Sequence, residues 1–355
     1  MAKKKKKVSV KKKKPKKKTK KTKKKTKKSK KKKKSSGGLL LIVVVLVVLG
    51  VIVYSKLSRG VPVKNIKAQK LGEWGATGDK ESRLNSPRGI AVSDDGNVYV
   101  SDLKNNRVVK YSDEGKFLMT WGAEGEKPGE FKEPSGVGVD KKGNVYVADA
   151  WNGRIQKFTP KGKFILQIGG KEAGFYSPRN VKPSGFNILF VADTGTSRLH
   201  RFDLKGNRLG APVGGAGKGK DKFREVFGIA FDSKARVYVA DAGNKRVVVL
   251  SPDMRPLGEI KVKGWEEHSP LWPMIAMDSK DRLYCVSSGG NNIWVYDVKA
   301  EEPSYLATIA YNKKGKPLLD GPIGIAIDSN DNVYLTEVSK NSVVKIRPVF
   351  PKIKK

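Results

Sequence analysis

Between residues 66 and 350, short stretches recur in which large aliphatic positions alternate with small or polar ones, and Gly-bearing turns separate them. Asn97-Val98-Tyr99-Val100 and Asn144-Val145-Tyr146-Val147 are β-branched and aromatic. Val108-Val109-Lys110-Tyr111 and Ile155-Gln156-Lys157-Phe158 follow them, and then come Phe117-Leu118-Met119-Thr120-Trp121 and Phe164-Ile165-Leu166-Gln167-Ile168. Period-two alternation in runs this short predicts half-buried or buried strands. Asp95-Gly96 and Lys142-Gly143 sit where a first strand turns into a second, and Glu114-Gly115 and Lys161-Gly162 where a third turns into a fourth, which is hairpin chemistry.

The stretches belong to a repeat. Its blocks open at Pro87-Arg88-Gly89-Ile90-Ala91-Val92, Pro134-Ser135-Gly136-Val137-Gly138-Val139 and Pro178-Arg179-Asn180-Val181-Lys182-Pro183. They continue at Val226-Phe227-Gly228-Ile229-Ala230-Phe231, Trp272-Pro273-Met274-Ile275-Ala276-Met277 and Pro322-Ile323-Gly324-Ile325-Ala326-Ile327. The third residue recurs at intervals of 47, 44, 48, 46 and 50. Thirteen residues later stands Asp102, Asp149, Asp193, Asp241, Ser287 or Glu337, and five beyond that Arg107, Arg154, Arg198, Arg246, Asn292 or Ser342. Six coincidences at fixed offsets mark an array of four-stranded units of propeller-blade size. Small residues at 89/91, 136/138 and 228/230 suit strands crowded near an axis. The sixth unit supplies three strands before Arg347-Pro348, while Gln69-Lys70-Leu71-Gly72-Glu73-Trp74-Gly75 copies a fourth strand. The expectation is an all-β, six-bladed β-propeller whose N-terminal strand closes the last blade and leaves no open edge.

Gly-Val-Gly-Val-Asp at 136–140, Asn-Val-Tyr-Val-Ala-Asp at 144–149 and Asn-Gly-Arg-Ile at 152–155 resemble the NHL-repeat family of six-bladed propellers. The resemblance covers roughly residues 66–347. Four repeats keep the Ala/Ser-Asp and Arg-Val/Ile/Leu signature, and the fifth and sixth depart from it.

Ahead of the repeats the chain changes character. Residues 1–36 hold 24 lysines and no acid, and 37–72 add five basic residues and no acid. The formal net charge of +40 is therefore uneven, with 45 basic and 34 acidic residues left for 73–355. A tail of that composition has nothing to bury and predicts disorder. The 18 uncharged residues 37–54, GGLLLIVVVLVVLGVIVY, would span roughly 27 Å as a helix, close to a bilayer core. Tyr54-Ser55-Lys56 is not a small-x-small cleavage site, so the run reads as an uncleaved signal-anchor. The expected domains are a disordered Lys-rich cytoplasmic tail (1–36), a transmembrane helix (37–57), a linker (58–65), the propeller (66–350) and a basic C-terminal tail (351–355). The lysines place the N-terminus in the cytoplasm and the propeller outside it, periplasmic or extracellular, on a single-pass membrane protein. The tail has two readings, anionic lipid at the membrane surface and non-specific nucleic acid or ribosome. No aromatic interleaves the lysines for base stacking.

One cysteine, Cys285, excludes an internal disulfide framework and any Cys-based zinc site. The recurring Asp and Arg vanish together in the fifth and sixth repeats, as a local Asp–Arg bridge or turn cap would, so they read as structural. Relatives of the resembling family include a lyase that holds zinc through histidines and lactone hydrolases with a central metal. His200 and His268 fall in different layers and read as surface residues, and Asp140, Asp232, Asp278 and Asp328 lie past the inner strands, in turns. No catalytic residue, metal site or cofactor is assigned. On the face formed by loops entering first strands and loops between second and third strands, the binding candidates are Arg88, Trp151, Asn152, Tyr176, Arg179, Asn180, Lys182, Phe227, Lys245, Trp272, Asn291 and Lys340. Arginine and aromatics supply binding hot spots. Lys182 stands where the other five repeats have Ala or Gly, and it reads either as an anion-binding group with Arg179 and Asn180 or as a lysine snorkelling to water. The expected function is a monomeric, non-catalytic binding or scaffold module for a protein, peptide or envelope polymer. An extracytoplasmic lyase or lactonase with an unrecognised metal site is the alternative.

Overall fold

A computed structural model describes residues 63–170, 174–265, 272–312, 315 and 317–351, within the unit 59–355. The tail (1–36) and the transmembrane run (37–57) lie outside the described residues, as do His268, most of the linker and 352–355. Among the described residues no helix is long and apolar enough to cross a membrane.

β1 (Val63–Trp74) leads into β2 (Pro87–Val92), β3 (Val98–Asp102), β4 (Arg107–Tyr111) and β5 (Phe117–Trp121). Next come β6 (Pro134–Val139), β7 (Val145–Asp149), β8 (Arg154–Phe158) and β9 (Phe164–Gly169), then β10 (Pro178–Pro183), β11 (Ile188–Asp193), β12 (Arg198–Asp203) and β13 (Val213–Gly214). They are followed by β14 (Val226–Phe231), β15 (Val237–Asp241), β16 (Arg246–Leu250) and β17 (Pro256–Lys261), and by β18 (Met274–Met277), β19 (Arg282–Val286), β20 (Ile293–Asp297) and β21 (Ser304–Asn312). The last three are β22 (Pro322–Ile327), β23 (Val333–Glu337) and β24 (Ser342–Val349).

Four sheets have four strands each, and one has eight in the order β18-β19-β20-β21-β1-β24-β23-β22. β1 runs antiparallel to β24, with Lys67 opposite Val349 and Trp74 opposite Val343, so the N-terminal strand meets the last three as its sequence predicts. It is also parallel to β21, which joins two four-stranded groups. The fold is an all-β propeller. First strands pack in the cyclic order β2, β6, β10, β14, β18, β22 and back to β2.

The reason such strands can crowd together lies in their third position. A Cβ on Gly324 would lie 2.2 Å from the carbonyl oxygen of Arg88, and one on Gly136 would lie 2.6 Å from Cα of Asn180. Only a residue without a side chain lets the backbones approach this closely. Between neighbouring sheets the apolar faces form separate cores. Ala91, Tyr99 and Val108 of one sheet meet Val137, Val147 and Phe158 of the next.

The turn carboxylates brace this packing. Asp140 accepts from the backbone N–H groups of Lys142 and Asn144, each at 2.9 Å, and from the buried Tyr146 hydroxyl at 3.1 Å. Asp232, Asp278 and Asp328 hold Tyr238, Tyr284 and Tyr334 at the same 3.1 Å. Burial raises these phenols above their usual range. Two repeats lack this carboxylate: the first has Ser93 beside Tyr99, and the third has Ser184 and Phe190 at the matching places.

Candidate functional site

The Asp at the end of the second strand in the first four repeats is fully buried and spent on its neighbours. Asp149 accepts from the Lys132 N–H (2.7 Å), Asn152 Nδ2 (2.9 Å), Arg154 Nε (2.8 Å) and Gln156 Nε2 (3.1 Å). The Arg154 guanidinium goes on to donate to the carbonyls of Lys127 and Glu130, both at 2.9 Å. Each clamp therefore ties the loop entering a first strand to the second and third strands. Asp102–Arg107 and Asp241–Arg246 repeat it at 2.8 and 2.9 Å. The third repeat corrects the expectation of a bridge there. Asp193 takes the N–H of Ser177 (2.9 Å) and the Thr196 hydroxyl (2.6 Å), while Arg198 is exposed and makes no ion pair with it. Glu337 fills the role in the last repeat, accepting from the Asp320 N–H at 2.6 Å and Lys340 Nζ at 3.2 Å.

His200 is also corrected, being 3 % exposed rather than on the surface. It lies in β12, edge-on to Phe175 with ring centres 5.0 Å apart, and its Nδ1 is 2.8 Å from Arg208 Nη1. Burial lowers its pKa to about 4, against an opposing pull from Asp193. Among the described residues no three His, Cys, Asp or Glu side chains converge in a way that could hold a metal.

The proposed face divides into three sets. Asn152 donates to Asp149 and to the Gly125 carbonyl, both at 2.9 Å; Asn291 accepts from the Gly321 N–H at 2.8 Å; Lys340 pairs with Glu337. All three thus already fasten loops, Asn291 and Lys340 from exposed positions. Lys245 lies in a separate cleft of about 340 Å³ with Asn244, Arg246, Glu259 and Lys261. Asn180 is also no face residue. It is 5 % exposed, and its Nδ2 lies 3.8 Å from the Met274 sulfur, so the two third-position residues that are not glycine meet in the interior.

The second set converges. Arg88 Cζ lies 4.4 Å and Arg179 Cζ 4.7 Å from the centre of the Trp272 ring, and Phe227 packs on that ring at 5.4 Å. Ser135, Ile323, Met274 and the backbones of Gly89 and Gly136 also line this site. A local feature of the strands explains the convergence. β2, β6, β10, β14 and β22 each carry a bulge near their start, and the second-position residues there are Arg88, Ser135, Arg179, Phe227 and Ile323. β18 pairs with β19 without a bulge, and Trp272 (φ 55°) takes the left-handed conformation that Ser86, Glu133, Glu225 and Gly321 adopt at the entry to other first strands. Six repeats thus give one residue each to a single mouth. Burial lowers both arginines' pKa; the charge of Arg179 lowers that of Arg88 further, and Glu133 opposes the shift in both. Sequence reasoning had missed Ser135, Ile323 and Glu133, whose only signal was repeat position.

The third set surrounds the mouth. Trp151 is 65 % and Tyr176 78 % exposed. Trp151 donates through its indole nitrogen to Glu133 and, with Leu103, Lys104 and Asn106, borders a cleft of about 330 Å³.

The NHL-repeat model matches residues 84–111 and 131–158, which hold the first three strands of the first two repeats. The chain is an NHL-repeat β-propeller protein. Solved structures agree on the fold of this NHL-repeat protein. Virginiamycin B lyase from Staphylococcus aureus is similar with a TM-score of 0.57 and 16 % identity, over 79 % of this chain and 99 % of that one. The PQQ-bound aldose sugar dehydrogenase from Streptomyces coelicolor gives 0.55 at 15 % identity, over 81 % and 100 %. A chain of the nidogen/laminin complex gives 0.52 at 18 % identity, over 72 % and 95 %. Such identities carry the fold alone. No curated protein matches the sequence.

Proposed function

We propose that this NHL-repeat protein is a non-catalytic binding or scaffold module: a six-bladed propeller tethered to the membrane by residues 37–57 and displayed outside the cytoplasm. Reading six blades treats the eight-stranded sheet as two blades joined along β1 and β21. The uncharged run and the lysines before it support the tether and its orientation, with the tail lying on anionic lipid. The observation that carries the binding reading is the division of labour on one face. The repeated carboxylates are consumed by clamps, while Trp151 and Tyr176 project into solvent beside the mouth. Large aromatics held on a rigid rim are hot-spot material for a protein, peptide or envelope polymer. The solved relatives include both enzymes and a binding protein, and no observation favours the enzymatic side.

Cross-linked affinity capture with the full chain in its own membranes tests the reading. A Trp151→Ala/Tyr176→Ala variant that keeps its melting temperature should lose the partner that the wild type holds. Equal capture by both refutes the assignment of the face.

A further inference from the structure

The guanidiniums at the mouth are paired with no carboxylate directly; Glu133 acts on both only from a distance. Both side chains are half-buried; among the described residues neither guanidinium makes a hydrogen bond or ion pair, and one nitrogen of each, Arg88 Nε and Arg179 Nη1, is buried with nothing to donate to. Every clamp arginine, by contrast, is engaged by a carboxylate and by loop carbonyls. Arginine stays charged in proteins and is rarely buried without a partner, because the lost hydration must be replaced. Here an indole stands between the two cations. Its ring face offers about 0.5–2 kcal/mol per cation and accepts no N–H bond in the guanidinium plane. The space remaining at the mouth is about 10 Å³, enough for one water. Trp272 therefore stacks with both arginines without satisfying them.

We infer that Arg88 and Arg179 form an oxyanion site at the propeller mouth, and that Trp272 is the plug a carboxylate or phosphate group displaces. Both forks present planar donors suited to paired bonds with such a group. Phe227 and Ile323 keep the floor apolar, which strengthens the charge interaction. Lys182 stands further along the same strand as Arg179 but outside this lining, and burial lowers its pKa. The site rests on the binding reading only for which face is used, and its test employs small anions, so either can fail alone.

The full-length protein is titrated with sodium phosphate and separately with malonate, against sodium chloride at matched ionic strength. Tryptophan emission and calorimetry are the readouts. The wild type should show a saturable emission change that is absent from Trp272→Phe, with one of the two anions or both. Response to phosphate alone assigns a phosphate-bearing ligand, and response to malonate alone assigns a carboxylate. Trp272→Ala, freed of the plug, should bind about tenfold more tightly by calorimetry, the equivalent of one cation–π contact. Arg88→Gln/Arg179→Gln keeps all the tail lysines and should lose the saturable phase. Emission changes reproduced by chloride, or no change in the wild type, overturn the site whether or not the double variant folds. Identical isotherms for wild type and a folded double variant do the same.

Discussion

A Cβ built on Gly324 would stand 2.2 Å from the carbonyl oxygen of Arg88, so the last first-strand lies directly against the first one. The same carbonyl accepts the Thr336 hydroxyl at 2.7 Å, and the Gly324 N–H donates to that hydroxyl at 2.8 Å. A backbone oxygen cannot swing away as a flexible side chain can. Gly324→Ala should therefore cost more than about 3 kcal/mol, at the upper end of overpacking effects. Gly258 has nothing within 4 Å and serves as the control. Gly258→Ala should change stability by less than about 1 kcal/mol in the same urea titration.

The Asp–Arg motif reads alike in four repeats but should respond differently to mutation. Arg154 is 5 % exposed and bonds Asp149 and three carbonyls of the preceding loop, so Arg154→Ala should cost about 3–5 kcal/mol by leaving a buried carboxylate short of its partner. Arg198 is exposed, and Arg198→Ala should stay within about 0.5 kcal/mol. Chemical denaturation of the two variants decides between a motif that is uniform and one replaced in the third repeat.

His200 gives the stability a pH dependence of known sign. Its folded pKa is depressed to about 4 from an unfolded value of 6.5, so below pH 6.5 the unfolded chain binds a proton that the folded chain refuses. Stability from this residue is full above pH 6.5 and falls as the pH drops towards 4, by at most about 3 kcal/mol. The melting curve of a His200→Phe variant should lose that part of the decline. Parallel wild-type and variant profiles between pH 6.5 and 4 would refute it.

Cys285 is fully buried among Ala240, Val247, Ile275 and Leu283, and burial raises its thiol pKa. Thiolate, not thiol, reacts with disulfide reagents. A thiol reagent should leave the native protein unlabelled and modify one group per chain after unfolding, as a time course in and out of denaturant will read.

The strands and the place of β1 were legible because repeat spacing and the Gln69–Gly75 copy depend on local pattern. The mouth was legible only in part. Arg88, Arg179, Phe227 and Trp272 are rare residue types at loop positions, and they do converge. Asn180 shares a block with Arg179 but turns inward, since a bulge reverses which neighbouring position faces the loops. The missing bulge in β18, which brings Trp272 between two arginines, leaves no mark in a block aligned by eye. Nor does composition say which polar side chains are already spent. Asn152, Asn291 and Lys340 look like binding groups until the loops they fasten are seen.

Two half-buried arginines that lack hydrogen-bond partners, one repelling the other, should weaken the protein that carries them, if they are retained for a ligand. Melting of the unliganded Arg88→Met/Arg179→Met variant tests this most directly. The account predicts a melting temperature equal to or above that of the wild type, because apolar chains of similar length replace mutually repelling cations. A clear fall would show that the Arg88–Trp272–Arg179 stack holds the propeller together and would contradict the oxyanion site.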